Sequence, residues 1–393
     1  MEKDTIAPKK VLHIIPGFGG GISSHVRNLV NSIDTNKIII DVASFTECSD
    51  DFIKDINNKK GKVFILKNVR LKTIKEIVRQ YSSILKNNGK YDMIHMHLTD
   101  FQALYFSVIS RFYGVKQICS HAHISNHENG DKLINRIKMS IKRKITRIAA
   151  NRFVSCSKLA SKYLFGKRML ENNKIMHIPN SIVVNRFIIN IDETFKKRFY
   201  YENNIKKTSL IIGHIGYFGY QKNHPFMVKI IERMKERNID FMWLFIGTGN
   251  DIDKIKNMIK EKNCEDYVRF LNRREDVNYL YQLMNVTVLP SYFEGLPTVT
   301  IESQAAGVPT VISDSITSEV DMGMGLVKFL SLNDAIDCWI DSIIEMSKVD
   351  IVPSEIRKDI LKRKAFTSES AAKLYEEFVY GIRNNFNLGD NIY

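Results

Sequence analysis

Residues 290–309 read Pro290-Ser291-Tyr292-Phe293-Glu294-Gly295-Leu296-Pro297-Thr298-Val299-Thr300-Ile301-Glu302-Ser303-Gln304-Ala305-Ala306-Gly307-Val308-Pro309. The apolar run Val286–Pro290 that leads into this string reads as a buried strand, and Thr310–Ser313 after it as another. Between them Pro297 sits where a first helical position prefers proline, so the string predicts strand, loop, helix, strand. Working outward, Leu210–Gly216, Met242–Gly247 and Val268–Leu271 read as further strands of the same half. The half before it offers Val11–Ile15, Ile38–Phe45, Val63–Leu66, Met93–His97, Val115–Ser120 and Phe153–Cys156. Several lack polar alternation, as strands do when helices cover both faces of a parallel sheet. Helical periodicity such as Val26, Leu29, Val30 and Ile33 lies between them. The pattern β-α-β-α, twice over, predicts an α/β protein of two doubly wound, Rossmann-like domains. The break falls near Pro179-Asn180-Ser181, before the polar segment 188–207, and Thr367–Asn384 closes the chain with helical character.

The 393 residues exceed one typical core, and 44% hydrophobic with 26% charged residues describe an ordinary globular protein. No stretch approaches the roughly 20 apolar residues that span a bilayer, and the first residues lack a signal-like apolar run. A cytoplasmic protein is expected. Five scattered cysteines without a C-x-x-C pair fit a reducing compartment and argue against a disulfide framework or a zinc site. The net charge of +15 asks for an anionic partner. Between Asn135 and Arg152, Arg136, Lys138, Lys142, Arg143, Lys144, Arg147 and Arg152 interleave with isoleucines. This reads either as a solvated face or as an amphipathic helix suited to an anionic membrane surface. No zinc-finger, RNA-recognition or basic-zipper pattern is present, so nucleic acid is not expected as a partner.

Three stretches carry chemistry. Gly17-Phe18-Gly19-Gly20-Gly21 follows the first strand and opens a helix, where backbone N–H groups can approach a phosphate. It is not the G-x-G-x-x-G fingerprint, and no acidic residue clearly ends the second strand, so a dinucleotide oxidoreductase is unexpected. Gly213-His214-Ile215-Gly216-Tyr217-Phe218-Gly219-Tyr220-Gln221-Lys222-Asn223-His224 repeats the idea, with Lys222 in a loop where a point charge meets a diphosphate. In the 290–309 string the free N–H groups of the helix start suit a diphosphate without a metal. Glu302 lies about five residues into that helix, ~7–8 Å along its axis. Glu294 and Glu302 can then flank a nucleotide sugar, one on sugar hydroxyls and the other on ribose. His121 and His123 follow a strand at its C-terminal end, where α/β sheets place ligands, with His95, His97 and His127 as nearby decoys. With no His/Cys cluster read from the pattern, no metal and no cofactor is expected.

On these motifs, with Cys156-Ser157-Lys158, Leu164-Phe165-Gly166 and Ile178-Pro179-Asn180-Ser181 in the same order, the chain resembles the retaining GT-B glycosyltransferases of family 4. Their bacterial exopolysaccharide and capsule branch is the most similar, and the Glu294/Glu302 pair matches the family's E-x7-E motif. The resemblance implies an N-terminal acceptor-binding domain over 1–182 and a C-terminal nucleotide-sugar domain over 183–366. Residues 367–393 would cross back to the first domain, and the active site would lie in the cleft. It further implies a UDP-sugar donor and a saccharide acceptor, lipid-linked at the membrane's inner face. Lys222 would meet the diphosphate, Glu294 the sugar and Glu302 the ribose. Gly295, Leu296, Pro297, Thr298 and Val299 would complete the phosphate cradle with Gly216, while Gly20 and Gly21 close from the other side. Arg273 would approach the base, His123 would reach the donor sugar near the anomeric carbon, and His121 would stand on the acceptor side. Members commonly carry arginine where this chain has Tyr217, which leaves Lys222 without its usual cationic partner on the diphosphate. The implied chemistry is front-face displacement with retention, the leaving phosphate oxygen taking the acceptor's proton. Two other readings stay open: a nucleotide-sugar epimerase of the same shape, and an inactive scaffold that binds UDP-sugar.

Overall fold

The computed structural model describes residues 7–67, 74–125 and 133–386. It divides into two compact units, one running to Ile182 and resuming at Arg363, the other spanning Val183–Lys362. In the first, β1 (Lys9–Ile15), β2 (Ile38–Ser44), β3 (Val63–Ile65), β4 (Met93–Met96), β5 (Gln117–Ala122), β6 (Arg152–Ser155) and β7 (Met176–His177) form one sheet. Its order is β3-β2-β1-β4-β5-β6-β7. In the second, β8 (Leu210–Ile215), β9 (Phe241–Ile246), β10 (Val268–Phe270), β11 (Val286–Leu289), β12 (Thr310–Ser313) and β13 (Val327–Leu330) run β10-β9-β8-β11-β12-β13. Every paired strand is parallel. Strand order reverses between β1 and β4 and between β8 and β11, which is where such sheets open a crevice at their C-terminal ends.

Burial follows from the sequence. Leu12, Ile14, Ile94, Met96 and Ile118 fill the first core with Tyr81 and Phe106, and Trp243, Phe245, Met227, Ile230 and Trp339 fill the second. β9 is buried at all six positions, which is why Phe241–Ile246 shows no alternation. The segment from Arg363 returns to the first unit: Ile182 N–H donates to Phe366 O and Ser368 N–H to Ile182 O, both at 3.0 Å. The helix Ser368–Tyr380 then packs on Gly21–Ser32. Arg152 stacks over Phe378 at 4.2 Å and donates to its carbonyl.

Four details differ from the sequence reading. β5 extends to Ala122, so His121 stands inside the strand rather than after it. The basic helix is Leu133–Ala149; Arg152 opens β6 and is tied to the returning segment. Pro297 is the N-cap, with extended backbone, and the helix Thr298–Ala306 begins one residue later. Two short edge strands are added: β7, of two residues, and β13, half-buried throughout.

Glycines lock the loop after β8 onto the loop after β9. Gly216 N–H donates to Ile246 O and Phe218 N–H to Thr248 O, at 3.0 and 2.9 Å. Gly247 has φ +143°, and a Cβ there would lie 1.9 Å from Gly216 O. Only glycine permits both the conformation and the approach. Gly247→Ala is expected to destabilise the second unit by about 3–5 kcal/mol, from strain and overpacking together. A denaturant midpoint within error of the parent would refute this account of the loop.

Candidate functional site

The second unit's site is built on two neighbouring strand ends. After β8 the chain turns through Gly216–Gly219 and a short 3-10 turn, Tyr220–Lys222; after β11 it runs through Pro290–Pro297. Glu294 joins the two. Its Oε1 accepts from Lys222 Nζ at 2.7 Å and from Ser291 Oγ at 2.9 Å, and its Oε2 from Gln221 Nε2 at 2.8 Å. Glu294 is only 6% exposed. Backbone reinforces the junction: Tyr292 N–H donates to Gln221 O at 2.9 Å, and the rings of Tyr220 and Tyr292 stack at 4.8 Å. Ser313, the last residue of β12, and Ser315 just beyond it donate to Ser291 O and fix the loop from behind. Lys222 also crowds Gly216, where a Cβ would meet Lys222 Cε and His214 Nε2 at 3.1 Å each.

The helix Thr298–Ala306 points its N-terminus at this junction without a side-chain cap at Pro297, so its first N–H groups stay available for an anion. Glu302, one turn in, meets Tyr281, whose hydroxyl lies 3.0 Å from Val299 O and 3.2 Å from Glu302 Oε2. Burial pushes the Glu302 carboxyl up to about 7, against the downward pull of the Tyr281 hydrogen bond and of the charges on Arg186 and Lys222. Tyr217 is 56% exposed, and Arg273 stands exposed in the loop that Gly247 N–H anchors through Asn272 O at 2.8 Å. The structure thus brings Gly216, Lys222, Glu294–Val299 and Glu302 together, with Tyr217 beside them; among the described residues no hydrogen bond ties Arg273 to the site.

The first unit holds a second constellation at the ends of β1, β4 and β5. Gly20 caps the helix Gly21–Ser32; Gly20 and Gly21 are exposed, and a Cβ at either would meet nothing within 4 Å. Beside this open turn lie six histidines. His13 on β1 is the register partner of His95 on β4, His97 follows β4, His121 lies within β5, His123 just beyond it, and His25 comes from the helix. Their rings stack or meet edge-on at centroid distances of 3.9–6.3 Å. Burial holds every one neutral: His13 is lowered to about 3 and His25 to about 4, and His95, His97, His121 and His123 fall well below the ordinary value.

This cluster corrects the sequence reading twice. His121 was expected on the acceptor side; it is 2% exposed, and its Nδ1 is bonded to His95 Nε2 at 3.1 Å. No His/Cys cluster was expected, yet His95, His97 and His121 place ligand nitrogens within 4.8 Å of one another. The doublets His95-x-His97 and His121-x-His123 carried the signal, since alternate residues share a face and β4 and β5 are neighbours. Gln221 and Ser291 were inside quoted motifs without a role, and Tyr281 had no local signature. His127 lies outside the described residues.

With this geometry in view, comparison with known proteins is informative. The family described as Glycosyl transferases group 1 matches residues 195–348. EpsF of Bacillus subtilis, named as a glycosyltransferase, is 30% identical over 362 residues, covering 92% of this chain and 94% of EpsF. The chain belongs to the group 1 glycosyltransferases. Another group relative, the UDP-Gal:alpha-D-GlcNAc-diphosphoundecaprenol alpha-1,3-galactosyltransferase of Escherichia coli, is 23% identical, over 72% of this chain and 73% of that one. Anabaena HepE, solved with UDP-glucose, superposes with TM-score 0.75 at 14% identity, covering 95% of this chain and 99% of HepE. At that identity the likeness establishes the shared GT-B fold.

Glu302 gives this glycosyltransferase a pH signature. Its carboxyl is raised in the folded state, from 4.5 to about 7, so the protonated form is the one the fold favours. That contribution is complete below the unfolded value and is lost as pH rises through 7. Glu302→Gln, which mimics the protonated acid, is expected to gain on the parent by about 1–3 kcal/mol between pH 5 and 8. Parallel stability profiles for the two proteins over that range would refute the assignment.

Proposed function

We propose that this glycosyltransferase is a retaining enzyme of family 4 that moves a sugar from a UDP-sugar to a hydroxyl of a growing, lipid-linked saccharide in exopolysaccharide or capsule synthesis. The observation that carries the reading is the buried Lys222–Glu294 junction at the uncapped N-terminus of Thr298–Ala306. Lys222 and the helix N–H groups supply positive potential for a diphosphate, Glu294 is held to meet sugar hydroxyls, and Glu302 the ribose. Gly216 and residues 295–299 form the cradle, and Arg273 serves the base. Tyr217 offers a hydroxyl where related enzymes offer a cation. Gly20 and Gly21 serve the donor phosphates, and His123 the donor sugar near its anomeric carbon. The name of the E. coli relative, with its UDP-Gal donor and diphosphoundecaprenol acceptor, supports donor and acceptor class, and EpsF supports the branch. Leaving-group charge is met by Lys222 and backbone dipoles, so we assign the reaction no metal.

Incubating the protein with a panel of UDP-sugars and a lipid-linked saccharide extract should release UDP with one sugar, only when the extract is present, and unchanged by chelator. Lys222→Gln and Glu294→Gln should each lower kcat by about 100-fold or more. Tight UDP binding without turnover would instead fit the scaffold, and a free isomerised sugar nucleotide the epimerase.

We also propose that the first unit docks on an anionic membrane surface. Among the described residues no helix is long and apolar enough to cross a membrane. Ile134, Ile137, Ile141 and Ile148 are half or more exposed on Leu133–Ala149, and the adjoining helix Asp100–Phe112 exposes Phe101, Val108 and Phe112, the last at 84%. Lys138, Lys144 and Arg147 stand exposed among them, whereas Arg143 is turned to Tyr163 O. Apolar residues within a basic surface favour the interface of an anionic bilayer. Replacing Lys138, Lys144 and Arg147 by glutamine and Phe112 by serine should weaken binding to phosphatidylglycerol vesicles at least tenfold. Undiminished binding would remove the docking surface.

A further inference from the structure

The histidines of the first unit are joined in a line. His121 Nδ1 meets His95 Nε2 at 3.1 Å, and His95 Nδ1 meets the Tyr375 hydroxyl at 3.1 Å. That hydroxyl meets His13 Nε2 at 2.8 Å, His13 Nδ1 meets His97 Nε2 at 3.0 Å, and His97 Nδ1 meets His123 Nε2 at 2.6 Å. Five imidazoles and one phenol thus share a single hydrogen-bonded path, with Tyr375 supplied by the returning helix Ser368–Tyr380. A neutral imidazole donates through one nitrogen and accepts through the other, so the protons along such a path tend to point one way.

Three observations choose the same direction, from His121 toward His123. At the far end His121 Nε2 is buried without a partner, and a bare buried acceptor is tolerated better than a bare buried N–H. At the joint, the 2.8 Å contact suits an O–H donor to His13 and the 3.1 Å contact an N–H donor from His95. Beside His95 Nε2, at 3.9 Å, lies Cys119 Sγ, whose thiol burial keeps protonated, so this nitrogen receives rather than gives.

We infer that the buried chain His121–His95–Tyr375–His13–His97 fixes His123 as a neutral ring protonated on Nδ1, turning toward its surroundings a hydrogen-bond donor and no base. All five histidines are then Nδ1–H tautomers, the minor form of a free histidine side chain in water. Tyr375 and the four inner histidines are positioning residues, acting on whatever His123 meets. Their bearing on sugar transfer rests on the function proposed above; the tautomers do not. The same arrangement is poor for a metal, because each nitrogen pair stands at hydrogen-bond distance around a shared proton and no carboxylate joins the trio His95, His97 and His121.

The test is two-dimensional NMR of histidine ring nitrogens in the full chain at pH 7, assigned with single histidine-to-asparagine variants. Nδ1–H signals at all five positions are expected. An Nε2–H or charged ring at any of them overturns the chain. So does stoichiometric Zn²⁺ binding that erases the signals of His95, His97 and His121. Tyr375→Phe should mix the tautomers of His13 and His95 at the cut and of His123 at the end. In transfer assays Tyr375→Phe should lower kcat about tenfold with little change in donor KM. A wild-type protein with the five tautomers and no transfer would refute the proposed function and leave the chain standing.

Discussion

The Glu294 carboxylate is the fixed point of the second unit. Lys222 and Gln221 reach it from the loop after β8, and Ser291 reaches it from its own loop after β11. These strands are neighbours at the point where sheet order reverses, so one side chain can bridge both loops. The pair is buried, with side-chain exposures of 14% for Lys222 and 8% for Glu294. Removing either partner strands a desolvated charge, which is more damaging than the net worth of the pair. The backbone around it is correspondingly over-determined: Tyr292 bonds to Gln221, Ser313 and Ser315 hold Ser291, and Gly247 admits Gly216. A diphosphate arriving at the helix start would meet charges already oriented, and orientation in advance is what makes electrostatic help effective in a transition state.

The first unit solves a different problem. Five buried imidazoles and one half-buried, without a carboxylate among them, would be costly if charged, and burial keeps them neutral. Neutral imidazoles still need partners, and five of the six find them in one another and in Tyr375. The C-terminal helix is therefore more than a clasp: it completes the hydrogen bonding of residues from β1 and β4. The two units thus treat polarity in opposite ways, one by pairing opposite charges and the other by excluding charge.

Much of the fold was legible because its signals are local. Uninterrupted apolar runs gave eleven of the strands within a few residues, and β9 announced itself by being buried throughout. The 290–309 string carried its own strand, loop and helix start, so Glu294 and Glu302 could be named from spacing alone. The misplacements also have local causes. Buried Val115 lies two residues before β5 and outside its pairing, and starting the run there shifted the strand and left His121 in a loop. Arg152 follows a basic helix without interruption in sequence, while tertiary contacts with Phe378 and Asn384 draw it into β6.

The sequence by itself determined the class of fold, the two-domain order of its strands and the loop-helix element that bears Glu294, because hydrophobic periodicity and helix-start chemistry act over a few residues. Tertiary structure alone decided that Lys222 meets Glu294 across 72 positions and that Tyr375 reaches His13 across 362. Parallel strands bring residues of equal register within one interstrand spacing of about 4.8 Å, whatever their separation along the chain. No local pattern records which strands will be neighbours, so the histidine chain stayed invisible until the sheet order was known.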